Sequence, residues 1–264
     1  LIMSLTIRPL NNTRAEYNAI MAIHSLLWPE APFTGEHRQL HDAGRNPDFL
    51  FQRLVAERDG QIVAHANYGE NPWSHRPGKY TLDIQVHPAY QRQGIGDALA
   101  QVIYAALAQQ SRVPVLLTTG TRTDKTGSLA FLAKHGFVQV MRHPSSTLDV
   151  QAFDGAAFAP ILEKVRQAGV KIYSMSELKA RNPNWIRIWY DLELAINDDV
   201  PAADRGEPLP FATFAGYVDG PLVATDAAFI AEDATGQYVG VSSLNIPAPG
   251  SPVLQTGMTG VLRS

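Results

Sequence analysis

The sequence predicts a mixed α/β protein made of two tandem copies of one unit. Three observations carry this reading. Short runs with strand-like alternation are interleaved with stretches whose apolar residues recur at helical spacing. A glycine-rich turn, Gln91-Arg92-Gln93-Gly94-Ile95-Gly96, joins one strand-like run to one helix-like run. The register also repeats: Gly236 to Val241 matches Gly60 to His65 at an offset of 176 residues, and Thr256 to Val261 parallels Thr81 to Val86 at 175.

In the first copy, Thr6 to Arg8 reads as a short strand. Ala15 to Leu27 reads as a helix, with Ala19, Ile20, Ile23 and Leu27 on one face, stopping before Trp28-Pro29. Glu36 to Ala43 is a second short helix, with Gly44 beyond its end. Leu54 to Glu57 and Gln61 to Tyr68 flank Asp59-Gly60, a hairpin turn. Tyr80 to Val86 alternates as a half-buried strand. Asp97 to Gln110 is a helix, Val115 to Thr119 a buried strand, and Gly127 to His135 a helix ended by Gly136. Phe137 to Met141 and Ser146 to Val150 are expected as two final strands. Ala152 to Gly169 reads as a helical connector, after which Val170 to Ser174 is strand-like and Asn184 to Ala195 helical. The stripe Trp185, Ile188, Trp189 and Leu192 on that helix is core-like.

Composition narrows the function. The chain has 264 residues, 45% of them hydrophobic, which suffices for one large or two ordinary globular domains. A net charge of −3 offers no basic footprint for nucleic acid. With no cysteine there is no disulfide framework, thiolate nucleophile or cysteine zinc site. None of the eight histidines falls in a metal-spaced set, so no metal is expected. No run reaches the ~18 apolar residues of a membrane span. The absence of a signal-peptide pattern points to the cytoplasm as the expected compartment.

The turn between Val86 and the helix carries the chemistry. Backbone N–H groups of such a turn, with the positive end of the helix dipole, cradle a phosphate or pyrophosphate. There is no Gly-Lys-Ser/Thr of a nucleotide P-loop. The third glycine of a dinucleotide fingerprint is replaced by Leu99.

The order Gln91-x-x-Gly94-x-Gly96, preceded by Val86-x-Pro88, resembles the acyl-coenzyme A loop of the GNAT superfamily of N-acetyltransferases. The element order of residues 4–150 is similar to the GNAT core throughout. Phe131-Leu132-Ala133-Lys134-His135-Gly136-Phe137 is similar to the family's Phe-Tyr-Glu-Lys-x-Gly-Phe segment.

The resemblance implies a GNAT fold and an acetyl-CoA-dependent transfer of an acetyl group to a primary amine of a small molecule or protein. It implies that the amides of Gln91, Arg92, Gln93, Gly94, Ile95, Gly96 and Asp97 hold the pyrophosphate. The Arg92 side chain is either a further phosphate contact or a solvated arginine. The resemblance also implies a bulge near the end of the preceding strand, where it parts from its parallel neighbour. Pantetheine would pair there with Ile84 and Val86, with the Val86 N–H as oxyanion donor. A carboxylate on this strand often serves as base in the family, and Asp83 matches in kind. Its alternative role is that of a structural strand aspartate. Glu57 and His87 are weaker matches.

Leu132 departs from the pattern, standing where the family often has the tyrosine that protonates the leaving thiolate. Tyr104, water or CoA itself would have to serve. That departure also leaves open a non-catalytic CoA-binding or sensing module. The expected organisation is a complete unit at residues 4–150, a connector at 151–169 and a second copy at 170–264. The second copy is expected to stop short of its own phosphate loop.

Overall fold

A computed structural model of the chain describes residues 5–30, 33–220, 223–246, 251 and 253–263. The expected outer boundaries at residues 4 and 264 lie outside the described residues. The chain divides into two compact units. One is Leu1–Val138 with Gly206–Pro208; the other is Gln139–Arg205 with Leu209–Ser264.

The first unit holds a five-stranded sheet in sequential order. Strands β1 (Leu5–Pro9), β2 (Phe51–Arg58), β3 (Gln61–Gly69) and β4 (Lys79–Val86) pair antiparallel, and β5 (Leu116–Thr118) joins β4 in parallel. Between β2 and β3, Asp59 and Gly60 both take positive φ, 51° and 77°, as a two-residue hairpin turn of this hand requires.

Helices α1 (Arg14–Leu27) and α2 (Gly35–Ala43) lie between β1 and β2. Their N-caps, Thr13 and Thr34, accept from the N–H of Glu16 and His37. Helix α3 (Ile95–Ala108) follows β4, and α4 (Thr126–Lys134) follows β5. Leu99, Ile103 and Leu107 of α3 are buried with Leu54, Ala64 and Leu82 of the sheet. Tyr17, Ile20 and Met21 of α1 cluster with Val55 instead.

The second unit contains α5 (Ala159–Gln167), β6 (Lys171–Ser174), α6 (Met175–Arg181), α7 (Trp185–Asn197), α8 (Phe211–Val218), β7 (Phe229–Glu232), β8 (Tyr238–Asn245) and β9 (Gln255–Val261). Its four strands form an antiparallel sheet in sequential order. Trp185, Trp189 and Leu192 are buried in its core, as the helical stripe predicts.

The repeat is visible in the ladders. Ile7 pairs with Ala56 and Ala64 with Val86; at the matching places Ile172 pairs with Ala231 and Gly240 with Val261. A register shift falls between Ala56 and Glu57 in one unit and between Ala231 and Glu232 in the other.

Three expectations are corrected. Residues 137–141 and 146–150 form no strands, because no ladder partner meets them. Val138, Val140, Leu148 and Val150 are exposed, and the first compact unit ends at Val138, before residue 150. The connector is helical only over Ala159–Gln167, after a single 3-10 turn at Gly155–Phe158. The expected bulge in the strand before the phosphate loop is absent: the β3–β4 ladder runs without a shift from Ala64↔Val86 to Gly69↔Thr81.

Candidate active site

The parting of β4 from β5 arises from strand length. Strand β5 has only three residues and pairs with Lys79, Tyr80 and Thr81 alone. From Leu82 to Val86, β4 is bonded to β3 and its other edge is free. Gly78 O accepts from the N–H of Val115 and Leu116 on the β5 side, whereas the His87 N–H donates to Val63 O at 2.9 Å on the β3 side. Backbone direction alternates along a strand. The N–H groups of Ile84 and Val86 therefore point to the free edge.

That edge opens on a cavity of about 840 Å3, within the range of small-molecule sites. Its lining joins the free edge of β4, the loop from Pro88 to Asp97, residues 119–121 and one side of α4. Trp28 at the end of α1 lines it too. Lys125 closes this wall, its Nζ donating to Leu27 O at 2.9 Å and lying 5.1 Å from the Trp28 ring.

The loop is shaped by its own side chains. Gln91 Nε2 donates to Val86 O at 3.0 Å, and Gln93 Nε2 to Ala89 O at 3.2 Å. Arg58 from β2 donates to Gln93 Oε1. Arg92 and Gly94 both adopt left-handed backbone, with φ of 61° and 80°. Gly94 is the N-cap of α3 with no side-chain cap, and the first helical bond runs from Ala98 N to Gly94 O at 2.9 Å. The N–H groups of Ile95, Gly96 and Asp97 are thus left without an intrahelical partner. The two glycines serve different ends. Gly94 supplies positive φ and faces open space, whereas a Cβ on Gly96 would stand 3.2 Å from the Phe131 ring of α4.

Asp83 lines the cavity, and its Oδ2 accepts from Gln85 Nε2 at 2.8 Å. Gln85 Oε1 is in turn 3.1 Å from His24 Nδ1, so α1 reaches the polar face of β4. Asp83 also ends a cross-strand row, Arg53–Asn67–Asp83. Arg53 is buried in a bidentate pair with Asp42, at 2.8 and 3.0 Å. Burial alone would raise Asp42, but hydrogen bonds from His41 and Arg53 hold its carboxyl well below the usual range. His65, opposite Gln85, is fully buried, and burial drives its pKa down to about 3.

Some weaker matches are placed elsewhere. Glu57 is bound to Arg8 at 2.6 Å, and His87 Nδ1 accepts from Ala89 N at 3.2 Å; neither lines the cavity. Tyr104 does not line it either: its hydroxyl lies 3.1 Å from His135 Nδ1. Leu132 does line it, so an apolar side chain occupies the tyrosine position. Sequence reasoning missed Lys125 and Arg58, whose partners are remote in sequence. No helix among the described residues is long and apolar enough to cross a membrane.

Comparison with known proteins bears on the fold. Residues 17–137 match the model of the acetyltransferase (GNAT) family. Comparison with curated protein sequences found no match. The structure is similar to a tandem GNAT protein from the clavulanic acid biosynthesis pathway, with 18% identity over 98% of this chain and 80% of that one, at a TM-score of 0.65. A GCN5-related N-acetyltransferase from Sphaerobacter thermophilus has 14% identity over 98% of this chain and 76% of that one, at 0.62. A fungal glucosamine N-acetyltransferase region within a multi-domain β-N-acetylglucosaminidase has 13% identity and a TM-score of 0.65; the match covers 100% of this chain but 32% of that one. At these identities the likeness is one of fold. Residues 17–137 of the first unit thus match the acetyltransferase (GNAT) family, and the chain as a whole shares the fold of a tandem GNAT protein.

Proposed function

We propose that the chain is an acetyl-CoA-dependent N-acetyltransferase that acts in the cleft of its first unit on a primary amine of a small molecule or protein. One observation carries this reading. The free edge of β4 and the uncapped N-terminus of α3 line a single cavity. That pairing suits a ligand with an extended amide-bearing arm and a pyrophosphate. Acetyl-CoA supplies the acyl group already activated as a thioester.

In this reading the amides from Gln91 to Asp97 hold the pyrophosphate. Ile84 and Val86 hold the arm by strand-like pairing. The Val86 N–H donates to the thioester oxygen as negative charge develops there. Asp83, oriented by Gln85, takes the proton that the acceptor ammonium must lose before attack. The amine nitrogen forms its bond to the acyl carbon, the carbon–sulfur bond breaks, and its electron pair leaves with sulfur. With Leu132 in the lining and Tyr104 held by His135, water relays to that sulfur the second proton, which the nitrogen sheds as it becomes an amide.

Release of free thiol tests the proposal cleanly, because the protein has no cysteine of its own. Thiol should appear only with acetyl-CoA and an amine together. Asp83→Asn should lower kcat by about 100-fold, as loss of a general base does, with little change in KM for acetyl-CoA. Binding of CoA without turnover of any amine in a broad panel would instead identify a CoA-binding module.

A further inference from the structure

Beside the phosphate loop stands a carboxylate that ought to oppose it. Asp97 is the third residue of α3, and its side chain lies next to the N–H groups that this reading assigns to a pyrophosphate. An anion there suits the helix dipole but repels a second anion. Helix α4 answers it. Lys134 Nζ donates to both Asp97 oxygens at 2.8 Å, and His135 Nε2 lies 2.9 Å from Oδ1. The Lys134 bond, then that of His135, holds the Asp97 carboxyl below its usual range.

An ionised carboxylate only accepts, so His135 Nε2 carries a proton, while Nδ1 lies 3.1 Å from the Tyr104 hydroxyl. Burial and the nearby Asp97 raise Tyr104, which keeps its hydroxyl protonated. His135 is 8% exposed, whereas Lys134 and Asp97 are 64% and 39% exposed. So exposed an ion pair contributes little to folding. Its place on the rim of the cavity, which both residues line, gives it consequence.

We propose that Lys134, with His135 behind it, cancels the charge of Asp97 and so lets the loop accept the polyphosphate of its ligand. Lys134 is a positioning residue in this account: it acts through Asp97. The inference rests on the proposed CoA site and concerns the charge balance within it.

Calorimetric titration with CoA at low and moderate salt tests it on the parent, Lys134→Met, Asp97→Asn and the double variant. Lys134→Met should weaken CoA about tenfold at low salt, and less as salt screens Asp97. Asp97→Asn should bind at least as well as the parent. The double variant should return to within about threefold of the parent. Thermal midpoints should stay together, since the pair is exposed. A double variant as weak as Lys134→Met, or a Lys134→Met that binds like the parent, overturns the inference while leaving the CoA site intact. A parent that binds no CoA overturns both.

Discussion

His65 shows how single residues tie the sheet to solvent conditions. It is neutral and enclosed, with Arg53 and His24 adding to the burial that lowers it to about 3. In the unfolded chain it titrates at about 6.5. The unfolded state therefore binds more protons between these values, and stability rises with pH there. The contribution is complete above the unfolded value and is lost as pH falls towards the folded one. Acidification from pH 7 to 5 should cost roughly 2 kcal/mol from this residue alone. The Asp42 carboxylate, held low in the folded state, adds a loss of the same sign at more acid pH. Urea unfolding of the parent and of His65→Leu should show the variant with the flatter profile between pH 7 and 5. At this scale the glycine turn that opens α3 was legible, because its glycines and their spacing are local features. The reason for Gly96 was not, since it lies in a contact with Phe131 on another helix. Nor could spacing show Lys134 bound to Asp97 across 37 residues.

Helix α3 connects core to site, because its N-terminus bounds the cavity and its apolar face fills the first core. Leu99 is wholly buried there. Leu99→Ala should lower the unfolding free energy by about 2–5 kcal/mol, read as a fall in the urea midpoint at unchanged slope. Elements with strong periodicity or sharp punctuation were legible: α1 before Trp28-Pro29, the hairpin at Asp59-Gly60 and strand β4. The two final strands were not, although Val138, Gln139 and Val140 alternate as a strand does. Alternation states which faces a segment would present, and only a partner makes it a strand. The amides of residues 138–141 and 146–150 should consequently exchange hydrogen orders of magnitude faster than those at the centre of β3. Protection equal to β3 would mean that a ladder forms there. The splay beside β4 was likewise anticipated with the wrong cause: a short β5 produces it without a bulge.

At the scale of the whole molecule the architecture is duplicated. Matching pairs such as Ile7↔Ala56 and Ile172↔Ala231, with matching register shifts, make the repeat a property of the ladders as well as of the residues. The tandem likeness was legible because the near-constant offset of 175 to 176 residues survives in sequence. The acceptor was not legible, since no spacing encodes which amine an acceptor pocket takes. No second Gln/Arg-x-x-Gly-x-Gly/Ala stands in the chain, so the central claim is that acetyl-CoA binds at the loop of the first unit. Calorimetric titration of acetyl-CoA against the parent and Gly94→Glu tests it most directly. Gly94 needs positive φ and faces open space, so a glutamate there strains the loop and sets a carboxylate beside the phosphate position. The account predicts one site per chain in the parent and at least a ~100-fold weaker affinity in the variant. Equal binding by both proteins, or none by the parent, would contradict it.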